Sequence, residues 1–350
     1  MPDSDPVVDL SDQRAVNLFD LQGVVAVVTG GGSGIGLMIS STLIANGATV
    51  YIIGPKQEDL DRITRIYNNA CEKTVGEGGG KMIGLEGDVS VKDEAVRLAN
   101  EISKRSPYVT VLFNNAGITG ANLKLPSSTS ESPSSSNNPS NSTSESTPSL
   151  AESYRTAVFS QIHQEDFLTI LKTNAIGPFY LTFSFLPLLE KWKNSTDEVT
   201  RKFVPQIIMT SSMNGWTKDS VTGGKSFPYL FSKSALGHAT ASLAHELLPL
   251  GIRVNGIAPG LFPTEMPLPG HSNSAGITQV PPSYLSSLQF HSPAGLGTKK
   301  DIGTLALFLV ANWFVNGETV LIDGGVNSPQ ASIVILNLKL LRDSGLDYNS

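Results

Sequence analysis

The stretch VVAVVTGGGSGIG, residues 24–36, decides how this chain folds. A buried, β-branched strand runs into a glycine-rich turn, and the turn runs into a helix. Glycine lets the backbone turn sharply and lets a pyrophosphate approach the helix N-terminus, where free N–H groups and the helix dipole favour anions. The context therefore fits a dinucleotide. The spacing is not the general G-x-G-x-x-G: Thr29, Gly30, Gly34 and Gly36 give T-G-x-x-x-G-x-G. Gly31 and Gly32 are expected to add turn freedom only.

Outward from this stretch, short β-branched runs alternate with longer helical patterns, as in a parallel sheet covered on both faces. Strands are expected near Val24–Val28, Thr49–Ile53, Met82–Glu86, Val109–Phe113, Gln206–Thr210, Arg253–Ile257 and Thr319–Ile322. Helices are expected near Ile35–Asn46, Glu58–Asn69, Val91–Lys104, Gln164–Leu189, Tyr229–Leu248 and Asp301–Val310. No linker splits the series, so residues 21–326 read as a single doubly wound α/β domain of Rossmann type with a seven-stranded parallel sheet.

Four segments stand outside the pattern. Residues 1–20 form an N-terminal arm. Residues 121–153 form a serine-rich insertion whose centre, Pro126 to Ser149, has almost no apolar residue and is expected to be disordered. Residues 263–300, rich in Pro, Gly and Ser, are long for a connection and read as a lid over a site, with Met266, Leu268, Tyr284, Leu288 and Phe290 as its apolar wall. Residues 327–350 are a tail containing the apolar run Ala331 to Leu341.

Composition narrows the function. The formal net charge is -6 and there is no long Lys/Arg run, which argues against a nucleic-acid surface or a polybasic membrane patch. No apolar stretch reaches bilayer length, and the acidic, mixed N-terminus lacks a signal-peptide pattern. The single cysteine, Cys71, allows no intrachain disulfide and points to a reducing, cytoplasmic setting. His163, His238, His245, His271 and His291 have no close metal-ligand spacing, so no metal is expected.

YLFSK, residues 229–233, puts Tyr229 and Lys233 one helical turn apart on the same face. With eight tyrosines in the chain such a pair arises by chance. Its neighbours decide its meaning. TGGGSGIG at 29–36, GDV at 87–89, NNAG at 114–117, NAIG at 174–177, SS at 211–212, YLFSK, APG at 258–260 and DGG at 323–325 occur in this order. Together, over about residues 21–326, they resemble the short-chain dehydrogenase/reductase family. The arm, the serine-rich insertion and the tail lie outside the resemblance.

What the resemblance implies is an oxidoreductase that moves hydride between a nicotinamide and a ketone or secondary alcohol, possible substrates including 3-oxoacyl thioesters. Tyr229 would be the acid/base. Lys233 would lower its pKa and hold the nicotinamide ribose, Ser212 would meet the substrate oxygen, with Ser211 as the competing hydroxyl, and Asn174 would support a proton relay. The cofactor set would be Thr29, Gly30, Ser33, Gly34, Ile35, Gly36, Lys56, Asp88, Val89, Asn115, Ala116, Gly117, Tyr229, Lys233, Pro259, Gly260 and Thr264, with Asp88 on the adenine. NAD enzymes of the family usually end the second strand with an acid, but here VYIIGPKQEDL ends it at Ile53-Gly54 with Lys56 following. NADP(H) is therefore expected over NAD(H), with Ser33 adding a bond to the 2′-phosphate. A homodimer or homotetramer through the helices that carry Tyr229 and its predecessor is expected as well. Two other readings are a cofactor-binding regulatory protein on the same fold and an enoyl-type reductase, whose tyrosine and lysine are usually further apart.

Overall fold

The computed structural model describes residues 9–120, 123, 148–217, 226–287 and 295–326. Residues 124–147 of the serine-rich insertion, the tail, residues 218–225 and the lid residues Leu288 and Phe290 lie outside the described residues.

Seven parallel strands form a single sheet: β1 Val25–Thr29, β2 Thr49–Gly54, β3 Lys81–Glu86, β4 Val111–Asn114, β5 Gln206–Thr210, β6 Arg253–Pro259 and β7 Thr319–Ile322. Their order is β3-β2-β1-β4-β5-β6-β7. The chain winds outward one way from β1 to β3, then crosses back to β4 and winds the other way. The strand order reverses between β1 and β4, and the crevice beyond their C-terminal ends is where open α/β sheets take ligands.

The inner strands are buried on both faces, which explains why β1 reads as a continuous apolar run rather than an alternating one. Ala26 and Val28 face one cluster with Leu37, Ile39 and Leu43 of α1 (Gly34–Ala45), Leu60 and Ile63 of α2 (Gln57–Thr74) and Ile302 and Ala306 of α8 (Lys299–Ala311). Val25 and Val27 face the other, with Leu98 and Ile102 of α3 (Lys92–Ser103), Leu181 and Phe185 of α6 (Gly177–Glu190) and Leu236 of α7 (Phe227–Glu246). Each fully buried aliphatic side chain contributes roughly 1.5–3 kcal/mol, which fixes which face every helix takes.

Some helices differ from expectation. Residues 150–153, assigned above to the insertion, open a helix, α4 (Leu150–Gln161), whose N-terminus is capped by the Ser149 hydroxyl accepting from the Glu152 amide at 3.1 Å. The helix expected across Gln164–Leu189 is two helices, α5 (Gln164–Leu171) and α6, joined by a π-helical turn at Lys172–Ile176. Among the described residues no helix is long and apolar enough to cross a membrane.

Candidate active site

The phosphate loop is built as its sequence dictates. Gly30 and Gly34 have φ of 64° and 50°, the left-handed region that favours glycine. A Cβ on Gly36 would overlap the Gly30 carbonyl oxygen. Gly31 does more than add freedom: its φ is not in the left-handed region, and a Cβ there would lie 2.6 Å from Ile52 Cγ2 and 2.8 Å from the Val28 carbonyl. The expectation that it matters only for the turn is corrected by this packing. Ser33 occupies the N-cap of α1 but makes no capping hydrogen bond through its side chain. The helix start is thus left to an anion, and the residues fit a dinucleotide pyrophosphate.

The loop is tied to the end of β4. Thr29 Oγ1 accepts from the Asn115 and Ala116 amides, both at 2.9 Å, and Asn115 Nδ2 donates to the Thr29 carbonyl at 3.0 Å. Gly117 follows; a Cβ there would stand 3.2 Å from Asn174 Oδ1 and 3.3 Å from Lys233 Nζ. Its lack of a side chain lets the β4 exit run beside the catalytic candidates.

Asn174 sits in the π turn, fully buried. Its side chain accepts from the Ile118 amide at 2.8 Å and donates to the Ile118 carbonyl at 2.9 Å, and Nδ2 also reaches Ser232 Oγ at 3.0 Å. A π turn widens the helix locally and is frequent at functional sites. Here it projects one amide onto the loop after β4.

Tyr229 and Lys233 lie on the first turns of α7, as their spacing requires. The Lys233 ammonium donates to the Thr210 carbonyl at the end of β5 at 2.8 Å and stands 5.7 Å from the Tyr229 ring centroid. It is buried, and burial takes its pKa down to about 8. Burial pushes the Tyr229 phenol above its ordinary value, and a hydrogen bond with the Ser212 side chain pulls the other way. The phenol is thus a protonated acid here. Ser211 is separated from this role: its hydroxyl donates to the Lys233 carbonyl at 2.7 Å, which fastens β5 to α7.

Asp88 Oδ1 accepts from the Ser90 amide and hydroxyl at 2.9 and 2.7 Å, organising the entry to α3, while a Cβ on Gly177 would overlap the Val89 carbonyl. Pro259 closes β6, the Gly260 amide donates to Ile322 at 2.9 Å, and Thr264 is buried against Gly34, where a Cβ would lie 3.2 Å from Thr264 Cβ. Lys56 is exposed at the N-cap of α2. Sequence reading missed Glu86, the last residue of β3, whose Oε2 accepts from the Gln57 amide at 3.2 Å at the start of α2.

Part of the segment expected as a lid packs on α2. Residues 271–279 fold back on themselves through a Ser272–Thr278 bridge. Their tip rests on α2: the Tyr67 hydroxyl donates to Ala275 at 3.1 Å and Arg62 Nε to Ser274 at 3.3 Å. Of the expected apolar wall, Leu268 is buried, Tyr284 half-buried and Met266 exposed. A cavity of about 510 Å³ lies between residues 295–298 and β7, lined by Phe262, Leu305 and Ile322 among others.

A family model described as "short chain dehydrogenase" matches residues 24–136, and one described as "Enoyl-(Acyl carrier protein) reductase" matches residues 149–327. The chain is a short-chain dehydrogenase/reductase. As such it is an NAD(P)-dependent oxidoreductase acting on CH–OH groups. This short-chain dehydrogenase/reductase is similar to the short-chain dehydrogenase/reductase PhomF of Diaporthe leptostromiformis, 32% identical over 318 residues that cover 89% of this chain and 94% of the relative. It is also similar to VdtF of Byssochlamys spectabilis, 30% identical over 334 residues, 91% and 97% of the two chains. Among solved structures, the Pseudomonas aeruginosa RhlG/NADP active-site complex superposes with a TM-score of 0.63 at 27% identity, over 88% of this chain and 98% of that one.

Proposed function

We propose that the protein interconverts a ketone and a secondary alcohol with NADP(H) in preference to NAD(H). The observation that carries the reading is the convergence of Tyr229, Ser212, Lys233 and Asn174 beside the ends of β4 and β5. The nicotinamide, when bound, supplies or accepts the hydride. In reduction, oxygen charge develops on the substrate and Tyr229 delivers the proton, a task suited to a phenol held protonated. Ser212 donates to the same oxygen and stabilises the developing charge. Lys233 sits within one turn of the phenol and steadies the phenolate left behind. Asn174 holds the loop after β4 in place and orients Ser232 beside the lysine.

The cofactor reading is supported by Gly54, which puts no acid at the end of β2, by the exposed Lys56, and by NADP in the RhlG complex. The one-turn spacing of Tyr229 and Lys233 supports the ketone reading over an enoyl reductase. Cytoplasmic placement is supported by Cys71 being the only cysteine and buried. A homodimer or homotetramer is part of the same proposal. The test is NADPH consumption by purified protein across a ketone panel, with Tyr229→Phe as control. Turnover should fall at least 10²-fold in the variant. A folded Tyr229→Phe protein with full turnover would sink this mechanism, and cofactor binding without turnover on any ketone would leave a regulatory binder.

A further inference from the structure

We infer that Glu86 is a cofactor-discriminating residue: brought by β3 to the N-terminus of α2, its carboxylate takes the place of the acid missing from β2 and favours a ribose 2′-hydroxyl over a 2′-phosphate. The inference rests on the dinucleotide site proposed above. In sheets of this kind the acid that bonds the ribose hydroxyls sits at the end of the second strand, and a 2′-phosphate needs positive charge there. Here that position is Gly54, and its register partner on the neighbouring strand is Glu86. Register partners of adjacent strands in a sheet project to the same face. A Cβ on Gly54 would point at Leu60 of α2, 3.2 Å from its Cδ2, and the Glu86 carboxylate reaches the same helix at the Gln57 amide, 3.2 Å away. Leu60 closes the space beside Gly54, and the acid at this end of the sheet comes from the next strand.

The placement is held from several sides. Gln57 Oε1 accepts from the Glu86 amide at 2.9 Å, so residue and helix start are clamped reciprocally. The Gly87 amide donates to the Gly54 carbonyl at 2.9 Å, which keeps the ends of the two strands together. Arg97 forms its ion pair with Glu94, at 2.6 Å, and donates to the Glu86 backbone carbonyl; it feels the Glu86 charge from a distance without pairing with that carboxylate. The carboxylate therefore competes with a phosphate for the first amide of α2 and repels it. Lys56, one residue away, attracts the phosphate. The two side chains pull in opposite directions, so the preference for NADP(H) is narrow.

The experiment is calorimetric titration of wild type, Glu86→Gln and Glu86→Ala with NADPH and with NADH. Glutamine keeps an acceptor for the Gln57 amide and loses only the charge, while alanine loses both. Both variants should tighten NADPH about three- to tenfold while NADH affinity holds or falls. If the ratio of the two affinities does not move in Glu86→Gln, or moves only in Glu86→Ala, charge at this residue does not discriminate and the inference is overturned. A wild type that prefers NADH but gains NADPH affinity in both variants would refute the cofactor preference proposed above and still uphold Glu86. Binding of neither cofactor to wild type would refute both.

Discussion

The Lys233 ammonium donates to the Thr210 carbonyl at 2.8 Å while standing 5.7 Å from the centre of the Tyr229 ring, so β5, α7 and the phenol share a single buried cation. The cation is costly to bury, and its pKa falls from 10.5 to about 8. Between those values the unfolded chain binds more protons than the folded one, so stability rises as pH climbs from about 8 toward 10.5. At about 1.4 kcal/mol per pH unit the full interval is worth about 3 kcal/mol. Without cofactor, the melting temperature of wild type relative to Lys233→Met should climb by about 5 °C from pH 7.5 to pH 10. A flat difference across that range would show that the lysine keeps its ordinary pKa. Turnover in the variant should fall at least 10²-fold.

The two adjacent serines should separate cleanly. Ser211 spends its hydroxyl on the Lys233 carbonyl at 2.7 Å, whereas Ser212 meets Tyr229. Ser212→Ala is expected to lower kcat/KM by about 10²–10³-fold, the usual loss of a donor to developing oxygen charge. Ser211→Ala should cost about 1 kcal/mol of stability and retain activity within about tenfold. Steady-state kinetics beside thermal melts of the two variants would decide, and equal losses of activity would remove the distinction.

Glycines of the phosphate loop should rank by what a methyl group meets. Gly36→Ala drives Cβ into the Gly30 carbonyl and within 2.6 Å of Asn115 Nδ2, and should abolish tight cofactor binding. Gly31→Ala meets Ile52 at 2.6 Å and should destabilise by roughly 1–3 kcal/mol. Gly32→Ala meets the flexible end of Leu60 at 3.2 Å and Ile52 Cδ1 at an ordinary 3.8 Å, and should be the mildest. Melting temperatures and NADPH affinities of the three would test the order.

Periodicity located the sheet well because the strands are short apolar runs bounded by breakers: β5 and β7 begin and end where the sequence placed them. The π turn at Lys172–Ile176 was hidden, since its residues carry the same apolar spacing as a helix and the widening comes from Asn174 bonding both backbone groups of Ile118 across the fold. Tyr229 and Lys233 were legible as a local pair. Glu86 was not, because its role depends on Gly54, a neighbour across the sheet and 32 positions earlier in sequence. The seat of the lid tip on Tyr67 and Arg62 was equally out of reach, as contacts between segments over 200 residues apart leave no mark in either.

Assembly is predicted to use the outer faces of α6 and α7. Phe179 and Phe183 are 50% and 41% exposed and lie against each other with centroids 4.7 Å apart and ring planes tilted by 50°, one turn along α6. Phe231 of α7 is 57% exposed and leans on Phe167 at 5.8 Å. Large exposed aromatics such as these bury well against a second copy, and clusters of them are uncommon on a monomer's surface. Light scattering at micromolar concentration should report a dimer or tetramer, and a monomeric wild type would refute the assignment. Phe179→Glu with Phe183→Glu should shift the protein toward monomer, because each charge would be desolvated in the contact. The same pair should leave the melting temperature of the monomer nearly unchanged, since neither ring lies in the core. Retention of the oligomer in the double variant would move the interface elsewhere.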